Sequence, residues 1–127
     1  MEKCAVECAK KLGGVTVVVK GEHDIITNGE TVVYCSEQGG LKRCGGQGDV
    51  TSGAIATFLG WSVCYRQNRW RHENEISQEE IPILAAYAGC LVTRRASHLA
   101  YNEHGFSTQT SEILKHLNNA RSFLAKY

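Results

Sequence analysis

The chain has 127 residues, with 14 Lys and Arg against 13 Asp and Glu, 43% hydrophobic residues and a single proline. That is enough for one globular domain with a core, and a net charge of +1 excludes a concentrated basic face as the route to nucleic acid or an anionic membrane. No apolar run approaches the roughly 18 residues of a membrane span, and Met1 to Leu12 mixes charges where a secretory leader needs an apolar centre; the sequence predicts a soluble, intracellular chain.

The opening stretch places Ala5, Cys8, Ala9 and Leu12 at helical intervals, and Gly13-Gly14 ends the pattern as a C-terminal cap would. Val15-Thr16-Val17-Val18-Val19 follows as a β-branched run, the composition of a strand covered on both faces in a parallel α/β sheet. Asp24 to Thr27 and Glu30 to Cys35, separated by Asn28-Gly29, read as a hairpin with a two-residue turn. Ser36 to Gly48 holds five glycines with Lys42 and Arg43, which predicts a loop with at most a short strand around Leu41 to Cys44.

From Asp49 to Arg66 the chain turns helical, with Val50, Ala54, Phe58, Trp61 and Tyr65 on one apolar face. Phe58, Trp61 and Tyr65 are expected in the core rather than as a base-stacking platform. Gln67 to Glu80 reads as an exposed connection. Pro82 suits the first turn of a long helix, Ile81 to Tyr101, whose stripe is Ile81, Leu84, Ala85, Ala88, Leu91, Val92, Ala96 and Leu99. A last helix follows, with Thr108 as its cap and Ile113, Leu117, Ala120 and Leu124 as its buried row.

Six cysteines without a leader predict free thiols. Cys4 and Cys8 are four apart, but no second pair or nearby histidine completes a zinc spacing. His98 and His104 fit no triad or metal spacing and read as surface residues.

Arg43-Cys44-Gly45-Gly46-Gln47-Gly48-Asp49 carries the most chemistry. Its glycines let backbone N–H groups approach an anion, and the start of the following helix adds partial positive charge, together a phosphate cradle. Asp49 in that first turn is stabilised as a carboxylate and can accept a proton beside a bound phosphate, an arrangement for phosphoryl transfer to a hydroxyl. Thr51 stands where a dinucleotide fold needs its third glycine, and no Gly-Lys-Ser/Thr closes a P-loop. On spacing alone, a plain glycine-rich turn with Asp49 as an ordinary helix-start residue is an equal alternative.

Val18-Val19-Lys20-Gly21-Glu22-His23-Asp24, the Asn28-Gly29 turn and Arg43 to Asp49, continuing to Glu103-His104-Gly105-Phe106-Ser107-Thr108, resemble the ATP-dependent NAD(P)H-hydrate dehydratases of the ribokinase-like superfamily. The resemblance implies a three-layer α/β (Rossmann-like) sheet with flanking helices, of which residues 1–127 form the C-terminal part as a single domain without the N-terminal strand-helix units. It also implies ATP-dependent dehydration of the S epimer of hydrated NADH or NADPH, with release of ADP and phosphate. Carried over, Lys20, Gly21, Glu22, His23 and Asp24, with Gly39, Gly40, Leu41, Lys42, Arg43, Cys44, Gly45, Gly46, Gln47 and Gly48, surround ATP. Asp49 is the catalytic base and touches the substrate; Mg2+ accompanies the nucleotide, with no dedicated metal-ligand cluster in the chain. The setting implied is cytoplasmic, with a mitochondrial form as a variant, and the resemblance leaves homo-oligomerisation open.

Phe106 stands where the family usually has a basic residue, and several strand-helix units are expected to be missing, leaving the Val15 to Val19 strand short of a neighbour and stability marginal. A ribokinase-like small-molecule kinase and a non-catalytic nucleotide-binding fragment are the alternative functions.

Overall fold

The computed structural model describes residues 1–73 and 75–124. Helix α1 (Glu2–Lys11) leads into a three-stranded sheet of β1 (Val17–Val19), β2 (Asp24–Thr27) and β3 (Val32–Cys35), followed by α2 (Gln47–Arg66), α3 (Ile81–His104), a 3-10 turn (Gly105–Ser107) and α4 (Thr110–Leu124). The sheet order is β1-β2-β3 and both pairings are antiparallel. This is a mixed α/β architecture with a small antiparallel sheet.

Helix α1 ends as its sequence dictates: Gly13 and Gly14 both take positive φ, and the Gly14 N–H reaches back to the Ala9 carbonyl at 2.9 Å. Ala5 and Ala9 are its buried face, while Cys8 and Leu12, placed on that face by periodicity, are exposed. The expected doubly covered parallel strand is corrected: β1 has three residues, all half-buried, and runs antiparallel to β2. Among the described residues its other edge has no strand neighbour.

The hairpin forms with a longer connection than two residues, because Thr27 pairs with Val32. Asn28 does not take positive φ; its Oδ1 accepts from the Glu30 and Thr31 amides at 3.0 and 2.9 Å, an Asx-type turn, and Gly29 alone has positive φ. Leu41 to Cys44 contains no strand.

Helix α3 lies at the centre. On one side Ile83, Ala86, Cys90 and Leu91 meet Ile26 and Cys35 of the sheet; on the other, Val92, Ala96 and Ala100 meet Val50 of α2 and Ile113 and Ala120 of α4. Burial on both sides replaces the single stripe that periodicity predicts: Leu84 is exposed, while Ala86, Gly89, Cys90, Thr93 and Ser97 are buried. Small side chains let neighbours close in all round. At the α2 crossing a Cβ on Gly89 would stand 2.4 Å from Ile55 Cγ1 and 2.8 Å from its backbone nitrogen.

Two further expectations are corrected. Trp61 is 42% exposed rather than in the core, with Phe58 and Tyr65 half-buried. Thr108 does not cap α4: its hydroxyl donates backwards to the Gly105 carbonyl at 2.6 Å, and the helix starts after Gln109, whose carbonyl accepts from the Ile113 amide. Among the described residues no helix is long and apolar enough to cross a membrane.

Candidate functional site

The glycine-rich segment passes between the sheet and the start of α2 and closes over a cleft of about 240 Å³. Lys20, Gly21 and Asp24 line one wall, Gly39, Gly40, Arg43, Cys44 and Gln47 a second, and Thr93, Arg94 and Ser97 of α3 form the floor with Cys90 and Thr51. A second, shallower groove lies on the far side of the loop, lined by Lys42, Arg43, Cys44 and Gly45 against Thr108 to Ser111.

Gly46 takes φ of 86° as the residue before α2, a conformation open to glycine at little cost. Asp49 and Val50 donate their amides to the Gly46 carbonyl. The Gly45, Gly46 and Gly48 amides have no acceptor among the described residues, so they remain as donors at the positive end of the α2 dipole. The Lys20 ammonium stands beside the last of the three: a Cβ on Gly48 would meet Lys20 Nζ at 2.9 Å. Among the described residues no carboxylate pairs with Lys20, Lys42 or Arg43 within 4.0 Å. The free Gly48 amide at a helix N-terminus, with the uncompensated Lys20 ammonium beside it and Arg43 on the cleft wall, can hold an anion.

Helix α3 fixes this loop from below. The Ser97 hydroxyl accepts from Gln47 Nε2 at 2.8 Å and from the Gly40 amide at 3.3 Å, and Gln47 Oε1 accepts from the Cys44 amide at 3.3 Å. Cys44 Sγ donates to the Thr108 carbonyl at 3.2 Å, and the Thr110 hydroxyl donates to the Gly45 carbonyl, so α4 holds the outer side.

Arg94 grips the other wall. Its Nε donates to Asp24 Oδ2 at 2.7 Å and its Nη2 to Asp24 Oδ1 at 2.8 Å, a bidentate fork. The remaining donors meet the carbonyls of Gly21 at 2.8 Å, Glu22 at 2.9 Å and Glu37 at 3.2 Å. The Asp24 carboxylate beside it raises the guanidinium's proton affinity further. Burial pushes the Cys90 thiol up to about 12, helped by the Asp24 carboxylate, so Cys90 is a neutral part of the floor.

Of the residues singled out in the sequence, Lys20, Gly21, Asp24, Gly39, Gly40, Arg43, Cys44 and Gln47 converge on the cleft. Lys42 and Gly45 face the outer groove. Glu22 and His23 are exposed and Leu41 is 74% exposed, outside both. Asp49 is exposed in the first turn of α2, with Oδ2 3.9 Å from where a Gly46 Cβ would stand, on the rim rather than in the lining. The floor residues Thr93, Arg94 and Ser97 escaped sequence reasoning. Their signal is present as polar residues interrupting the apolar α3 run at positions one turn apart. His104 pairs with Glu112 at 3.2 Å and His98 with Asn102 at 3.1 Å, both away from the cleft.

The site is thus an anion cradle built where an α/β protein turns from sheet into helix. The chain belongs to the NAD(P)H-hydrate dehydratase family, whose model matches residues 1–119. It is similar to proteins named ATP-dependent (S)-NAD(P)H-hydrate dehydratase: 43% identical to that of Neurospora crassa over 112 residues, covering 88% of this chain and 32% of the relative. The Schizosaccharomyces pombe protein is 42% identical over 108 residues, 85% of this chain and 33% of its own, and the Homo sapiens protein 37% over 116 residues, 91% and 32%. The chain spans about a third of the length of these curated relatives.

Proposed function

We propose that this chain carries the nucleotide-binding part of an ATP-dependent (S)-NAD(P)H-hydrate dehydratase, within a three-layer ribokinase-like domain of which residues 1–127 are the C-terminal portion. The observation that carries the reading is the unpaired Lys20 ammonium held beside Gly48, whose amide is free in the first turn of α2. An ATP triphosphate supplies the opposite charge, and the cradle donors stabilise the γ-phosphoryl group as its charge spreads during transfer.

Asp49 acts as the base at the rim. It takes the proton from the hydroxyl of the hydrated nicotinamide while that oxygen bonds to the γ-phosphorus and the bond to the β-phosphate oxygen breaks, releasing ADP. Loss of phosphate from the ring carbon, with a proton from the neighbouring carbon, regenerates the dihydronicotinamide. Mg2+ travels with the nucleotide in this reading. Asp24 is committed to Arg94, among the described residues no three His, Cys, Asp or Glu side chains gather as a metal cluster, and no step rests on the ion.

Six free thiols suit a reducing, cytoplasmic setting. The test is recovery of dihydronicotinamide absorbance from purified hydrated NADH, with and without ATP, alongside product analysis. Recovery that needs ATP and releases ADP and phosphate is expected. A stable phosphorylated product would instead make the chain a small-molecule kinase.

A further inference from the structure

We infer that Arg94 is a positioning residue for triphosphate binding, acting through Lys20: it clamps the Lys20 to Asp24 segment against α3 so that the Lys20 ammonium stands over the Gly48 end of the cradle. The inference rests on the nucleotide reading of the cleft and adds a residue that touches no phosphate itself.

The geometry is a matter of donor number. A guanidinium has five N–H groups in a rigid plane, and Arg94 makes five hydrogen bonds, two to Asp24 and one each to the carbonyls of Gly21, Glu22 and Glu37. None remains for a ligand, although Arg94 lines the cleft. Its side chain is 16% exposed and that of Asp24 8%, so the pair is largely shielded from water and its geometry is tightly held.

What the clamp holds is the turn directly after Lys20. Gly21 is fixed at both ends, its carbonyl by Arg94 and its amide by Asp24 Oδ1 at 3.2 Å. Lys20 has no such anchor: among the described residues no hydrogen bond or ion pair engages its ammonium, and it reaches Gly48 only through the direction the clamped backbone gives it. A lysine at position 94 keeps the charge but offers three donors on a flexible stem, and cannot bridge the carboxylate and three carbonyls together. The turn would then loosen, and Lys20 with it.

The test is a double-mutant cycle on ATP binding by the full chain, measured by isothermal titration calorimetry, with Arg94→Lys, Lys20→Met and the double variant. Arg94→Lys is expected to weaken ATP binding about tenfold in the parent background and less than twofold once Lys20 is Met, since the residue it positions is then gone. Equal factors in both backgrounds would overturn the inference, because a general loss of folded protein lowers affinity whatever stands at position 20. Asp24→Asn, which keeps one acceptor of the fork and turns the other into a donor, is expected to show the same dependence on Lys20, and serves if Arg94→Lys fails to fold. Absence of ATP binding by the parent chain would overturn this inference together with the nucleotide reading. ATP binding with the expected coupling but no turnover of hydrated NADH would sink the dehydratase reading alone.

Discussion

Ser97 Oγ lies 2.8 Å from Gln47 Nε2 and 3.3 Å from the Gly40 amide, so one buried hydroxyl on α3 ties together the two ends of the glycine-rich loop. Ser97 is 2% exposed. Ser97→Ala strands both donors, at a cost of about 1–3 kcal/mol. The expected result is a lower urea midpoint with an unchanged slope, and weaker ATP binding because Gly40 and Gln47 are no longer held in register. An unchanged midpoint would show that water replaces the hydroxyl there.

Gly89 and Gly53 make a paired prediction on opposite sides of the α2–α3 crossing. A methyl at position 89 would collide with Ile55, including its backbone, whereas one at position 53 meets nothing within 4 Å. Gly89→Ala is expected to destabilise by about 1–3 kcal/mol as the helices are forced apart. Gly53→Ala, within a helix and facing open space, is expected to stabilise by about 0.5–1 kcal/mol. Denaturant midpoints of the two variants should therefore move in opposite directions.

Much of this architecture is written locally. Gly13-Gly14 ends α1, Gly46 opens α2 and Pro82 sits in the first turn of α3, because each depends on the conformational range of one or two residues. What escaped depends on distance in space. Arg94 meets Asp24 across 70 positions of chain, and no local pattern separates such an arginine from a solvated one. Trp61 misled for a related reason: helical spacing gives it a face but not what stands opposite, and Trp61 remains half open to solvent. At the cradle the loop and the helix start were legible from glycines alone, while the α3 floor was hidden inside an apolar stripe.

The buried thiols set an alkaline limit on stability. Burial raises both Cys35 and Cys90, with Cys90 moved from 9.0 to about 12. Because the folded chain holds that proton more tightly than the unfolded one, the Cys90 contribution is fully present below about pH 9 and is lost as pH rises towards about 12. Over that window one proton gives a decline of at most about 1.4 kcal/mol per pH unit. Unfolding free energies measured from pH 8 to 11 should fall less steeply for Cys90→Ala than for the parent chain. Parallel curves would show that the thiol does not titrate on unfolding.

In the proposed mechanism Asp49 separates holding the nucleotide from using it. It is exposed in the first turn of α2, outside the cleft lining, and shares its turn with the free Gly48 amide. Asp49→Asn keeps the size and polarity of the side chain and removes the proton acceptor, so turnover of hydrated NADH is expected to fall by about 10²–10⁴-fold. ATP affinity should stay within about twofold or improve slightly, since a negative charge near the triphosphate is removed while the helix dipole remains. Calorimetry on the variant, run beside the absorbance assay, separates the two effects. Turnover that survives the substitution would remove Asp49 from the mechanism and leave the cradle as a binding site alone.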